Sequence, residues 1–116
     1  MSNASAGSQL AFAIERTGDF AAVRCSGRLV AGTNDRFYVE LREVIPGSRR
    51  VVLDFEDLTH LDSSGLGTLV RLYVHAKSSG CALELVNIGK PIRQILGVTH
   101  LLTVLEAVGR NNIRMG

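Results

Sequence analysis

The stretch Leu61-Asp62-Ser63-Ser64-Gly65-Leu66-Gly67 sets a carboxylate and two hydroxyls where a loop runs into a helix. Backbone N–H groups and the positive end of the helix dipole converge at such a point. Two uses follow. Serine and aspartate are preferred helix caps, and capping alone accounts for them. The other use is modification: a phosphate on Ser64 adds about −1.5 to −2 charge at pH 7 and can accept hydrogen bonds from the first helical turn. Gly65 and Gly67 let the start of the helix pack closely on a neighbouring sheet.

Catalytic readings of the same residues fail on spacing. A nucleophile elbow needs glycine two residues before the serine, where Asp62 stands before Ser64. Gly65-Leu66-Gly67 lacks the third glycine of a dinucleotide fingerprint, and no Gly-Lys-Ser or Gly-Lys-Thr occurs to close a phosphate loop. His60, His75 and His100 match no compact ligand spacing, so no metal centre is expected. Asp54, Glu56 and Asp57 form an acidic cluster expected just beyond a strand end, where carboxylates either bind Mg²⁺ and move protons or simply meet solvent. Arg49 and Arg50 read as the solvated start of a strand. No nucleophile, base and orienting group assemble from these motifs, so the chain is expected to have no enzymatic turnover.

The elements that must position Ser64 are legible from periodicity. Leu10, Phe12 and Ile14 alternate, Thr17-Gly18-Asp19 interrupts, and Ala21, Val23 and Cys25 alternate again, as in two antiparallel strands joined by a tight turn. From Asn34 to Ile45 the period becomes helical, with Phe37, Leu41, Val44 and Ile45 on one face, Thr33 or Asn34 as cap, and Pro46-Gly47 as the stop. Val51-Val52-Leu53 is apolar on both faces, the mark of a central, parallel strand covered on each side. The helix after Asp62 places Leu66, Leu69, Val70, Tyr73 and Val74 on its inward stripe, with Thr68, Arg71, His75 and Ser78 away from it, and ends near Lys77 and Gly80. Ala82 to Val86 is a further strand. A short helix then opens with Pro91 at its first position, packs Ile92, Ile95 and Leu96 inward and stops at Gly97; Leu102 to Leu105 reads as a last edge strand. Strands alternating with helices after a hairpin make an α/β layered domain.

Composition narrows the function classes. With 116 residues, 46% of them apolar and 21% charged, the chain builds one packed core, expected over residues 9–108; residues 1–8 read as a disordered N-terminal segment or an expression scar, and 109–116 as a polar C-terminal tail. A net charge of +2 and 5% aromatic content with no Trp leave neither the electrostatic footprint nor the stacking platforms of a nucleic-acid binder. No apolar run reaches the length of a membrane span. Cys25 and Cys81, apolar-flanked and far apart in a sequence without a secretory signal, read as reduced core thiols of a cytoplasmic protein.

From Val51 to Gly67, Val-Val-Leu-Asp-Phe-Glu-Asp-Leu-Thr-His-Leu-Asp-Ser-Ser-Gly-Leu-Gly, the chain closely resembles the STAS domain of bacterial anti-sigma factor antagonists. The resemblance extends more loosely from about Leu10 to Leu105, through Gly27-Arg28-Leu29 and the helix after Pro91. It implies the STAS fold, a four- or five-stranded mixed β-sheet with helices packed mainly on one side. It also implies partner switching: an antagonist binds an anti-sigma factor that doubles as a serine kinase, and phosphorylation at the second serine of the motif, here Ser64, weakens the complex and so regulates transcription. Asp62, Ser63 and Gly65 match the flanking positions. The partner-binding face then comprises Asp62, Ser63, Ser64, Gly65 and Leu66 with Val30, Gly32 and Thr33 of the loop after Leu29. ATP belongs to the partner, the domain needs no cofactor, and a monomer or weak dimer is expected. Many phosphorylated relatives carry an acidic residue directly after the Gly-x-Leu element, where this chain has Val30. STAS domains also serve as stressosome parts and transporter subunits; this is the alternative reading, one without a phosphorylation cycle. Small-ligand sensing at the strand ends is a third.

Overall fold

The computed structural model describes residues 9–98, with the side chain of Val98 outside that description. An antiparallel hairpin opens the sheet, β1 (Leu10–Thr17) and β2 (Phe20–Leu29), with Thr17 opposite Phe20. Gly18 makes this two-residue connection possible because it takes φ +63°, a left-handed conformation that side chains disfavour. Helix α1 (Asn34–Val44) follows and tightens into a 3-10 turn at Ile45–Gly47, where Pro46 cannot continue the α-helical ladder. Then come β3 (Arg50–Leu61), α2 (Ser63–Ser78), β4 (Ala82–Val86) and α3 (Lys90–Val98).

The sheet order is β1-β2-β3-β4, with β2, β3 and β4 parallel and β1 antiparallel at one edge. Val51 to Leu53 does lie in a central strand, with a parallel neighbour on each side. The expected cover on both faces is corrected. Ala21, Val23 and Cys25, Val51, Leu53 and Phe55, and Leu83 and Leu85 are buried, whereas Ala22, Val52 and Val86 between them are only half-buried and Arg24 and Ala82 are exposed. The helices lie against one face, as the resemblance implied. Val52 is apolar on a face that no described helix covers.

Burial corrects the register of α2 as well. Its inward residues are Gly65, Thr68, Leu69, Leu72 and Ala76; Leu66 and Tyr73 only flank the core, and Val70 and Val74 are exposed at 36% and 59%. Thr68 is tolerated in the core because its Oγ1 accepts a hydrogen bond from Asn34 Nδ2 at 3.1 Å. Three boundaries also shift. β3 runs on to Leu61, so Asp54, Glu56 and Asp57 sit within the strand, not beyond it; Pro91 is the second residue of α3; and Gly97 lies inside that helix instead of ending it. Ile92 and Leu96 are buried as expected, with Ile95 packed beside them. The expected strand at Leu102 to Leu105, His100 and both ends of the chain lie outside the described residues. Among those described, no helix is long and apolar enough to cross a membrane.

Candidate functional site

The site is assembled where the carboxyl ends of two parallel strands, β2 and β3, release the chain into α1 and α2. β3 ends opposite β2, with Leu61 in register with Leu29. Asp62 is extended, at φ −111° and ψ −172°, and is the N-cap of α2. Its Oδ1 accepts the Gly65 N–H at 3.0 Å and its Oδ2 accepts the Ala31 N–H, also at 3.0 Å. One carboxylate thus caps the helix and pins a loop 31 residues earlier in the chain. Those two amides, Ala31's first and Gly65's next, hold its carboxyl below the ordinary carboxylate range.

The pinned loop is Val30–Thr33. The Val30 carbonyl accepts the N–H groups of Thr33 and Asn34, each at 3.0 Å, and Gly32 turns the chain at φ +99°. Thr33 is the N-cap residue of α1, yet its side chain caps nothing; instead its Oγ1 accepts from the Val30 N–H at 3.0 Å and donates to the Arg28 carbonyl at 2.8 Å. Asn34 does not cap with its side chain either, since its amide reaches across to Thr68. The loop is therefore braced from within, from Asp62 and, through α1, from α2.

Gly65 packs directly against the end of β2. A Cβ there would strike the Leu29 carbonyl oxygen and lie 2.8 Å from Leu61 Cδ1, so only glycine fits. Ser63 is exposed, and Ser64 is half-buried instead of fully exposed as a kinase target is expected to be. None of the described residues hydrogen-bonds the Ser64 hydroxyl. Leu66 is half-buried, Gly67 is exposed, and an added Cβ at 67 meets nothing within 4 Å.

The structure thus brings together the residues expected at the partner-binding face: Asp62, Ser63, Ser64, Gly65 and Leu66 on one side, Val30, Gly32 and Thr33 on the other. It adds Ala31, the Leu29 carbonyl, Asn34 and Thr68. Backbone groups leave no trace in side-chain patterning, and Thr68 stood on the wrong face of the expected stripe. The remaining candidates do not converge on the site. Asp54 Oδ1 accepts its own strand's Glu56 N–H at 3.0 Å, and no three acidic, histidine or cysteine groups among the described residues gather as metal ligands. His60 is exposed beside Thr59, His75 is half-buried on α2, Arg49 pairs with Asp19 at 3.7 Å and Arg50 with Glu84 at 2.6 Å. Cys25 and Cys81 are free, buried thiols.

The STAS domain family matches residues 11–114. A STAS-domain containing protein of Pseudomonas aeruginosa is 32% identical over 78 residues, covering 67% of this chain and 77% of that protein. An anti-sigma F factor antagonist of Paenibacillus polymyxa is 27% identical over 85 residues, covering 72% and 73%. A putative anti-sigma factor antagonist from Thermotoga maritima shares the fold at a TM-score of 0.76 and 21% identity, over 82% of this chain and 83% of that one. With the four-stranded mixed sheet, the helices on one face and the Asp-Ser-Ser-Gly turn at the head of α2, this match makes the chain a member of the STAS-domain family, of the kind that resembles anti-sigma factor antagonists.

Proposed function

We propose that the chain is a noncatalytic anti-sigma factor antagonist that binds an anti-sigma factor with serine kinase activity and is released by phosphorylation of Ser64. The observation that carries this reading is the state of Ser64: half-exposed, its hydroxyl without a hydrogen-bond partner among the described residues, in the first turn of α2 and beside the Asp62 clamp. A dianion there suits the domain itself, since a helix N-terminus favours negative charge by about 0.3 to 1 kcal/mol. At a partner interface the sign reverses. A phosphate pressed on an apolar or acidic surface loses hydration and meets repulsion, and a loss of about 2.7 kcal/mol weakens affinity roughly a hundredfold. Partner contact therefore falls on Ser63, Ser64 and Leu66 and on Val30, Gly32 and Thr33, while Asp62 and Gly65 hold these two segments in place. Val30, where many relatives are acidic, leaves the neighbourhood of Ser64 without an added negative charge.

The test mixes cognate kinase, ATP and the domain and maps the modified residue by mass spectrometry. Ser64→Ala should bind and resist release by ATP, whereas Ser64→Asp should keep native stability and bind more weakly, in part because aspartate carries less charge than phosphate. Phosphate found only elsewhere, or undiminished binding after stoichiometric modification of Ser64, overturns the switch and favours a subunit of a transporter or stressosome assembly.

A further inference from the structure

Three large apolar side chains stand exposed among the described residues, Val39, Val70 and Val74, and all three project from α1 or α2. Val70 and Val74 lie one turn apart on α2 and, with Tyr38, Arg71, His75 and Ser78, line a groove of about 370 Å³ on the outer side of the helical layer. The groove is cationic. The Arg71 guanidinium lies 4.2 Å from the centroid of the Tyr38 ring and that of Arg42 lies 5.8 Å from it, so two positive charges flank one aromatic floor. The acids of α1 offset them only in part. Asp35, three residues before Tyr38, stands about 60° from it around the helix. Glu40 is held by Arg36 at 3.2 Å and Glu43, five residues after Tyr38, points about 140° away, so two guanidiniums face one carboxylate.

We propose that this groove docks an acidic amphipathic segment of a partner protein, its apolar side chains on Val70 and Val74 and its carboxylates on Arg42 and Arg71. Charge decides among the possible occupants. A second copy of this chain would meet the groove with the same surface in a two-fold dimer, setting Arg42 and Arg71 against their own counterparts. The chain's own residues 99–116 carry Arg110 and Arg114 against Glu106 and so bring the wrong sign. An amphipathic segment lying in an apolar groove and read by flanking charges is a common mode of recognition. The groove lies farther along the helix that begins at Ser63, so it enlarges the partner face proposed above and rests on that reading for the partner's identity, though not for its chemistry.

The probe is a synthetic amphipathic helix with leucine on one face and glutamate on the other, beside a matched peptide carrying lysine in place of glutamate. Binding to the full chain is followed by backbone amide shifts and by titration. The glutamate peptide should move the amides of Tyr38, Val70, Arg71 and Val74 and bind at least about tenfold more tightly than the lysine peptide. Val74→Asp and Arg71→Glu should each weaken it by a similar factor while leaving the melting temperature within about 4 °C, as expected of substitutions at exposed positions. Ser64→Asp should leave peptide binding unchanged, which separates the groove from the phosphorylation switch. No binding, equal binding of both peptides, or shifts confined elsewhere overturn the proposal. A concentration-dependent dimer abolished by Val74→Asp overturns it in favour of a second copy.

Discussion

Asp62→Ala removes two hydrogen bonds that serve different ends, and their costs can be worked out separately. Loss of the Gly65 cap costs about 0.5 to 2 kcal/mol, the usual range for an N-cap aspartate. The Ala31 amide is exposed and regains water, so losing its bond adds little beyond about 0.5 kcal/mol. The expected destabilisation is about 1 to 2 kcal/mol at pH 7, with a melting temperature lower by about 4 to 8 °C per kcal/mol for a small domain. Asp62→Asn should cost less, because asparagine caps about as well and loses only the charge and the acceptor facing Ala31. The pH dependence has a definite sign. Asp62 titrates below its unfolded value of about 3.9, so its contribution is fully present above that pH and is lost as the pH falls through the lower folded value. Urea unfolding of wild type, Asp62→Ala and Asp62→Asn at pH 7 and at pH 2.5 tests this directly. The advantage of the wild type over Asp62→Ala should shrink at the lower pH. An alanine variant as stable as wild type at pH 7, or a difference that persists undiminished at pH 2.5, would refute the clamp.

Leu69→Ala should cost about 2 to 5 kcal/mol in denaturant unfolding, because Leu69 is fully buried, whereas Val74→Ala, five residues farther along the same helix and exposed, should stay within about 0.5 kcal/mol; equal effects would contradict the register of α2. Gly65→Ala should destabilise by about 1 to 3 kcal/mol despite the better helix propensity of alanine, since its methyl group meets the Leu29 carbonyl, and a thermal melt showing stabilisation would exclude that close approach. The Cys25 thiol, pushed up to about 12 by burial and then by the charge of Asp54, should resist a disulfide reagent at pH 8 until urea unfolds the chain; rapid labelling of Cys25 in the folded protein would contradict its burial.

The local structure was legible because it depends on neighbours in sequence. Gly18 marks the hairpin, Pro46 ends α1, the β-branched run at Val51 places a central strand, and Ala82 to Val86 forms β4 with the expected bounds. The Asp-Ser-Ser-Gly turn was equally plain, as was the capping role open to Asp62. Other features needed the tertiary structure. A helical wheel sees Val70 and Val74 as apolar and Thr68 as polar, so it rotates the inward face of α2 toward the two valines while keeping Leu69 inside. The true register follows from α1, whose Asn34 satisfies the Thr68 hydroxyl and lets it enter the core while the two valines remain outside. The same wheel cannot show which faces of the sheet are covered, because the neighbours of Val52 depend on where three separate helices come to rest. The second bond of Asp62, to an amide 31 residues away, and the collision that reserves position 65 for glycine arise between backbone segments distant in the chain. Side-chain order records what each residue prefers locally; the meeting of Leu29, Ala31 and Asp62 exists only once β2 and β3 pair in register and bring their ends together.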